Sequence, residues 1–267
     1  MEERLWSKMQ KYTFVFTLSF WQALKNTKAL LGLSIFLIAC LVIFAHIWKI
    51  IAAKNGISFF SGSQLLWYIA FNEWLLVSLP DIHEEMGQDL KTGKLAYLLP
   101  RPISYLGFTF AGALGTLFAN LFVLGLVTFT FTWIQTGALP FSPLCLLTAI
   151  LLGACAGALA IILQMIIGLS SFWMGEADPL YWIYEKLLFL FGGLILPLAA
   201  YPSWLQKIAN FTPFPAILGE RSALALSFSS FHLISLLLSF VGWAAIGTGV
   251  LIFLYRKGLR TLNIEGG

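Results

Sequence analysis

Apolar residues run through this chain in long blocks, parted by short polar segments. Leu30 to Trp48 is the first block, closed by Lys49 and Lys54. Phe59 to Leu79 is the second and less pure, with Ser61, Ser63, Gln64, Asn72 and Glu73 set into it. Tyr105 to Trp133, Leu144 to Trp173, Tyr181 to Ala200 and Phe231 to Tyr255 follow. Each block approaches or exceeds the ~20 apolar residues that carry a helix across a bilayer. The turn TGALPFSP parts the third block from the fourth, and GEADP parts the fourth from the fifth. The fifth is itself broken by Gly192, Gly193 and Pro197. A spanning chain must satisfy its backbone polar groups internally, and the long blocks lack strand alternation. The pattern predicts an all-α integral membrane fold with six transmembrane helices.

Three segments fall outside these blocks. In residues 1–26, Leu5, Trp6, Met9, Tyr12, Thr13 and Phe16 recur at helical spacing, with Glu3, Ser7, Gln10 and Lys11 opposite. This predicts an amphipathic helix lying in the membrane interface. Its scattered charges and lack of a small-residue cleavage site do not fit a signal peptide. In residues 80–104, Ile82, Met86 and Leu90 stand at i, i+4 and i+8, flanked by Glu84, Glu85 and Asp89. A short amphipathic helix is expected there, ended by Gly93, with Pro100 and Pro102 turning the chain into the third block. Residues 201–230 are too apolar for a free loop and too often interrupted by Pro for a span. Two short helices dipping into the outer leaflet as a re-entrant hairpin, buried against the bundle, fit that pattern. Neither an internal repeat nor a low-complexity linker divides the chain, so residues 1–267 read as a single transmembrane domain.

Composition narrows the class. Apolar residues make up 59% of the chain and charged residues 10%, whereas a soluble domain carries ~25% charged residues. The net charge is +4, from 16 Lys and Arg against 12 Asp and Glu. Nucleic-acid binding is not implied, because no basic stripe with interleaved aromatics lies outside the apolar blocks. The basic residues instead sort by side. With the N-terminus inside, Arg4, Lys8, Lys11, Lys25, Lys28, Lys91, Lys94, Arg101, Lys186, Arg256, Lys257 and Arg260 are inner, and Lys49, Lys54, Lys207 and Arg221 are outer. That bias places both termini in the cytoplasm. Cys40, Cys145 and Cys155 lie in or beside apolar blocks without a CxxC pair, as small core residues do.

Candidate chemistry is sparse. Glu73 lies within the second block, where a carboxylate costs ~2.5–3.5 kcal/mol and must face protein or water. It reads equally as part of a transport path and as a carboxylate paired in the bundle. Gly93-Lys94 does not make a phosphate loop. GxxxxGK[ST] requires Gly where Gln88 stands and Ser or Thr where Leu95 stands. Any ATP-driven work therefore belongs to another subunit. Asp81, His83, Glu84 and Glu85 are too close in sequence to converge on a metal from one helix face. Gly153 and Gly157 form a GxxxG step, which marks close helix packing within the bundle or between protomers. Neither a Ser-His-Asp set nor HExxH is present.

The layout as a whole, with DLKTGKLAYLLPRPIS (89–104), FWMGEADPLYWIYEKLLFLFGGLILPLAAYPSWLQKIANFTPFPAI (172–217) and the tail YRKGLRTLNIEGG (255–267), resembles the ABC-2 type exporter permeases, in particular their small six-span members. The resemblance implies a non-enzymatic transport subunit in the cytoplasmic membrane of a bacterium. It implies that the helix around Ile82 to Lys91 is a coupling helix seated in a groove of an ATPase subunit. The docking residues carried over are Ile82, Glu84, Glu85, Met86, Asp89, Leu90 and Lys91. ATP and Mg would be bound by two partner ATPases and no cofactor by this chain, which would pair with a second permease, identical or sister. Alternating access of that pair would move a substrate, with an apolar lateral cleft favouring amphipathic or lipid-linked cargo. Two other readings stand beside it. One is a membrane-embedded lipid-modifying enzyme using Asp81, His83 and Glu84 as acid and base. The other is an ion-coupled carrier with Glu73 as its proton site.

Overall fold

The structure, a computed structural model, describes residues 2–53, 61–98, 100 and 103–265. Among these, every regular element is helical. In chain order they are α1 (Glu2–Lys25), α2 (Thr27–Ala53), α3 (Gly62–Ser78), α4 (Ile82–Lys91), α5 (Lys94–Leu98), α6 (Tyr105–Thr136), α7 (Pro143–Leu169), α8 (Ser171–Met174), α9 (Asp178–Gly192), α10 (Ser203–Asn210), α11 (Phe214–Ile217), α12 (Gly219–Leu226) and α13 (Ser230–Glu265). The stretches Thr27–Ile47, Tyr105–Thr136, Pro143–Met174 and Ser230–Arg260 are long and apolar enough to cross a membrane. The protein is an all-α membrane protein.

The second and fifth blocks are shorter than the pattern predicts. α3 has 17 residues and α9 has 15. Phe59, where the second block begins, lies outside the described residues, as do Lys54, Arg101, Pro102 and the side chains of Leu5 and Trp6. α3 begins with a capping box. The Ser61 hydroxyl accepts from the Gln64 N–H, and the Gln64 side chain accepts from the Ser61 N–H. That reciprocal pairing satisfies two of the N–H groups a helix start leaves open. The Ser104 and Ser142 hydroxyls cap α6 and α7 by accepting from the Gly107 and Cys145 N–H groups, with Pro143 at the first turn of α7.

α3 is the axis of the bundle. Trp67, Tyr68, Ile69, Ala70 and Leu75 are fully buried. α2, α6, α7 and α12 all pack against it. Two side chains tie it to α6: the Trp74 indole N–H donates to the Leu121 carbonyl at 2.9 Å, and the Asn120 amide to the Ser78 carbonyl at 3.1 Å. α2 and α13 form the outer walls, and their exposed faces carry Ile35, Phe36, Ile43, Leu238, Val241 and Phe253. Such apolar exposure is expected of surfaces solvated by acyl chains.

α1 lies along the first turns of α6. Tyr12 meets Gly107 and Ser104, and Phe16 and Phe20 meet Gly115. Tyr12 and Phe16 belong to the predicted apolar face. Met9 and Thr13 of that face are exposed. The helix is therefore half-covered by α6 rather than free on both sides.

Candidate functional site

The amphipathic segment after α3 folds as the helix its pattern predicts, Ile82 to Lys91, and Gly93 ends it at φ +68. A left-handed residue is the usual helix stop, and Gly takes it without strain. The helix is held by its apolar face. Ile82 and Met86 are buried, Leu90 is half-buried, and α4 packs on the C-terminal end of α7. The approach is close: a Cβ on Gly168 would stand 2.9 Å from the Met86 Cβ and 3.3 Å from the His83 Cα. α7 also supplies the cap that Asp81 does not. The Ile82 N–H donates to the side-chain Oε1 of the buried Gln164 at 3.1 Å. α4 is thus fixed to α7 by packing and by a buried hydrogen bond.

Of the docking set carried over from the resemblance, Ile82, Met86 and Asp89 are buried within the chain. Asp89 pairs with Lys94 at 2.7 Å and accepts from the Tyr105 hydroxyl at 3.3 Å. That pairing raises the Lys94 pKa, chiefly through the hydrogen bond. Glu84, Glu85, Gln88 and Lys91 form the open face, with Lys91 paired to Glu176 at 2.9 Å.

Of the acid–base trio of the enzyme reading, Asp81 and Glu84 are exposed and His83 is not. His83 is buried and stacks on Tyr181 of α9, ring centroids 3.5 Å apart, with Asp178 3.9 Å from its Nε2. Burial lowers its pKa against the pull of Asp81, Asp178 and Glu84. Glu84 faces solvent on the other side of the helix.

At the opposite end of α7 the chain does something the pattern did not show. The hairpin contains three short helices, α10 to α12, rather than two. α10 stays exposed at Trp204 and Ile208, but Phe214 to Gly219 and most of α12 are buried between α3 and α7. Arg221, counted above as an outer charge, is fully buried. Its Nη2 donates to the Phe71 carbonyl at 2.6 Å and to the Ser222 hydroxyl at 3.4 Å, and its Nε to the Ile217 carbonyl at 3.3 Å. Nη1 has no hydrogen-bond partner, and no carboxylate among the described residues pairs with this side chain.

Beside it, the fifth block breaks where Gly192 and Gly193 predict. α9 stops at Gly192 and Gly193 takes φ +70. The carbonyls freed by that break are received by α3. The Tyr68 hydroxyl donates to Gly193, and the Asn72 amide donates to Leu194 at 3.0 Å and to Gly193 at 3.4 Å. The Ser222 hydroxyl bonds the Asn72 side-chain oxygen at 2.6 Å. Irregular backbone survives at membrane depth only where protein satisfies it in this manner. Gly219 is required for the fit: a Cβ there would come within 2.7 Å of the Tyr68 oxygen.

A cavity of about 570 Å³ lies between α3, α6 and α7. Trp67, Phe71, Trp74, Leu121 and Thr128 form its buried floor, while Phe118, Phe122, Leu126, Ile150 and Leu151 form an exposed rim. Glu73 does not line it. That carboxylate is buried on α3, with Cys40 of α2 among its neighbours. The GxxxG glycines serve packing within the chain: Gly157 meets Leu117 of α6, and Gly153 meets Arg221 and Trp74.

No protein-family model and no characterised protein matches this sequence.

Proposed function

We propose that the chain is the permease subunit of an ATP-driven exporter of the ABC-2 type. The observation that supports this reading most is the seating of α4. A polar-faced helix stands at one end of the bundle, fixed to α7 by Gly168 and Gln164. A partner gripping Glu84, Glu85, Gln88 and Lys91 would move α7 with it. α7 carries the cavity wall (Leu146, Ile150, Leu151, Ala154) and the Gly153 seat of Arg221 further along the same helix. Force applied at one face would thereby reach the lipid-facing cavity.

In this reading the bundle crosses the membrane six times. α3, at ~1.5 Å per residue, spans about 25 Å, near the lower limit for a crossing. α9 and the broken stretch to Ala200 supply the fifth crossing. Both termini and α4 face the cytoplasm, as the bias of Lys and Arg indicates. Two such chains, or one with a sister chain, assemble with two ATPase subunits that bind ATP and Mg.

The test is co-purification in a mild detergent, using Glu84→Lys with Glu85→Lys. The unchanged chain should bring down a protein carrying a phosphate loop. The double variant should retain it at least ten-fold less while melting at the same temperature. Recovery of the chain without any ATP-binding protein overturns the reading. Substitution of Ile82 or Met86 does not serve as the test, because either change disturbs the seat of α4 on α7.

A further inference from the structure

The cavity between α3, α6 and α7 has the make-up of a binding site for a hydrocarbon chain. Its lining is aromatic and aliphatic save for Thr128. The two indoles in its floor offer only carbon, because Trp67 Nε1 donates to the Ala138 carbonyl at 3.2 Å and Trp74 Nε1 to the Leu121 carbonyl. At about 570 Å³ it is several times larger than the ~150 Å³ apolar cavity that holds a benzene. It falls within the ~300–1,000 Å³ range of ligand pockets. Its rim belongs to α6 and α7, two helices apolar and long enough to cross the membrane. The medium at its mouth is therefore lipid.

Charge decides which amphiphile. The Thr128 hydroxyl, in the lining, has no hydrogen-bond partner. Behind the floor lies Arg221. Its Nη1 is 3.5 Å from the point where a Cβ on Gly153 would stand, and the Trp74 ring edge is 3.8 Å from the same point. The unbonded end of a fully buried guanidinium thus adjoins a residue that lines the cavity. In surroundings of low dielectric, with no carboxylate paired to it, that charge is poorly screened and acts across the thickness of a ring. Charge complementarity selects an anion.

We propose that this cavity binds a single-chain anionic amphiphile drawn from the bilayer, its hydrocarbon chain against Trp67, Phe71 and Trp74 and its acidic group held at the Gly153 end by Arg221 and Thr128. The inference rests on the membrane placement of α6 and α7. It stands apart from the exporter reading, since binding needs neither ATP nor a partner.

The experiment uses the full chain in lipid nanodiscs and two photoreactive probes, a diazirine-bearing sixteen-carbon fatty acid and the matched fatty alcohol, both at a pH where the acid is ionised. Cross-linked peptides are mapped by mass spectrometry. The acid should label Phe118, Phe122 and Ile150 at least five-fold more than the alcohol does. Ala154→Phe, which fills the cavity, should abolish that labelling and leave labelling of α13 unchanged. Arg221→Gln should bring acid and alcohol to parity. Should Arg221→Gln fail to fold, Ala154→Phe and the acid-to-alcohol ratio decide alone. Equal labelling by both probes overturns the proposal, as does labelling that survives Ala154→Phe. A disulfide-linked dimer formed by Phe122→Cys would place a second copy of the chain at the mouth and overturn it as well. Failure here would leave the capture of an ATPase by α4 unaffected, so the two readings fall separately.

Discussion

α4 and α12 are both short helices laid against α7, one at each end, and they are held by opposite means. α4 turns Ile82 and Met86 inward and leaves Glu84 and Glu85 in water. α12 turns Arg221 and Ser222 inward and leaves Glu220 exposed. The first is an ordinary amphipathic helix, whose hydrophobic side supplies the adhesion. The second is tied to α3 by hydrogen bonds, from Arg221 to the Phe71 carbonyl and from Ser222 to the Asn72 side chain. The difference lies in what each end presents: α4 leaves a charged face open, while α12 braces Asn72, the α3 side chain that satisfies the break after α9.

The contrast can be broken from either end. The largest effect is expected at the knot around Asn72. Asn72→Leu removes the donors to Leu194 and Gly193 and the acceptor of Ser222. Each buried group left unpaired costs ~1–3 kcal/mol, and the loss should appear as a marked fall in melting temperature in detergent. Gly168→Val attacks the seat of α4 by overpacking, for about 2 kcal/mol. Its readout is faster proteolysis at Lys91 and Lys94 with the knot around Asn72 intact. A third change is one of pH. Burial holds His83 below its usual 6.5, so the folded chain binds fewer protons than the unfolded chain just below that value. This contribution to stability is complete above about pH 6.5 and is lost as pH falls toward the lower folded pKa. Asp81, raised from 3.8 chiefly by desolvation, acts with the opposite sign at lower pH. Melting curves from pH 7.5 to 5.5, with His83→Gln as control, isolate the histidine, and the variant should show the flatter profile. The smallest effect belongs to Lys91→Ala. It breaks an exposed pair with Glu176 and should alter stability by less than about 1 kcal/mol, measured by the same melts.

The two ends also differ in how openly the sequence declares them. The bounds of α4 follow from Ile82, Met86, Leu90 and Gly93, since a helix held by its apolar side writes that side into its periodicity. The break at Gly192-Gly193 is equally plain, because paired glycines interrupt an apolar run. The burial of Arg221 was not legible. A charge in a polar stretch reads as exposed, and its acceptors, the carbonyls of Phe71 and Ile217, are backbone groups that no side-chain pattern reveals. Asn72 gave a partial signal. A polar residue in a membrane block must have a partner, but that the partner is a broken helix some 120 positions later follows only from the fold. The inward turn of Asp89 was missed because it owes its place to Lys94 and Tyr105, which lie outside its own helix.

The bond from Asn72 to Leu194 links positions 122 residues apart, and this separation is also an interval of time. At ~5–20 residues per second, a ribosome needs roughly ten seconds to travel from one position to the other. Throughout that delay α3 is already made, with Tyr68 and Asn72 on its surface and nothing yet to receive them. The chain therefore passes through a stage in which its central helix exists without the groups that complete it. Until residues 193–222 are made, Asn72 must find its hydrogen bonds elsewhere.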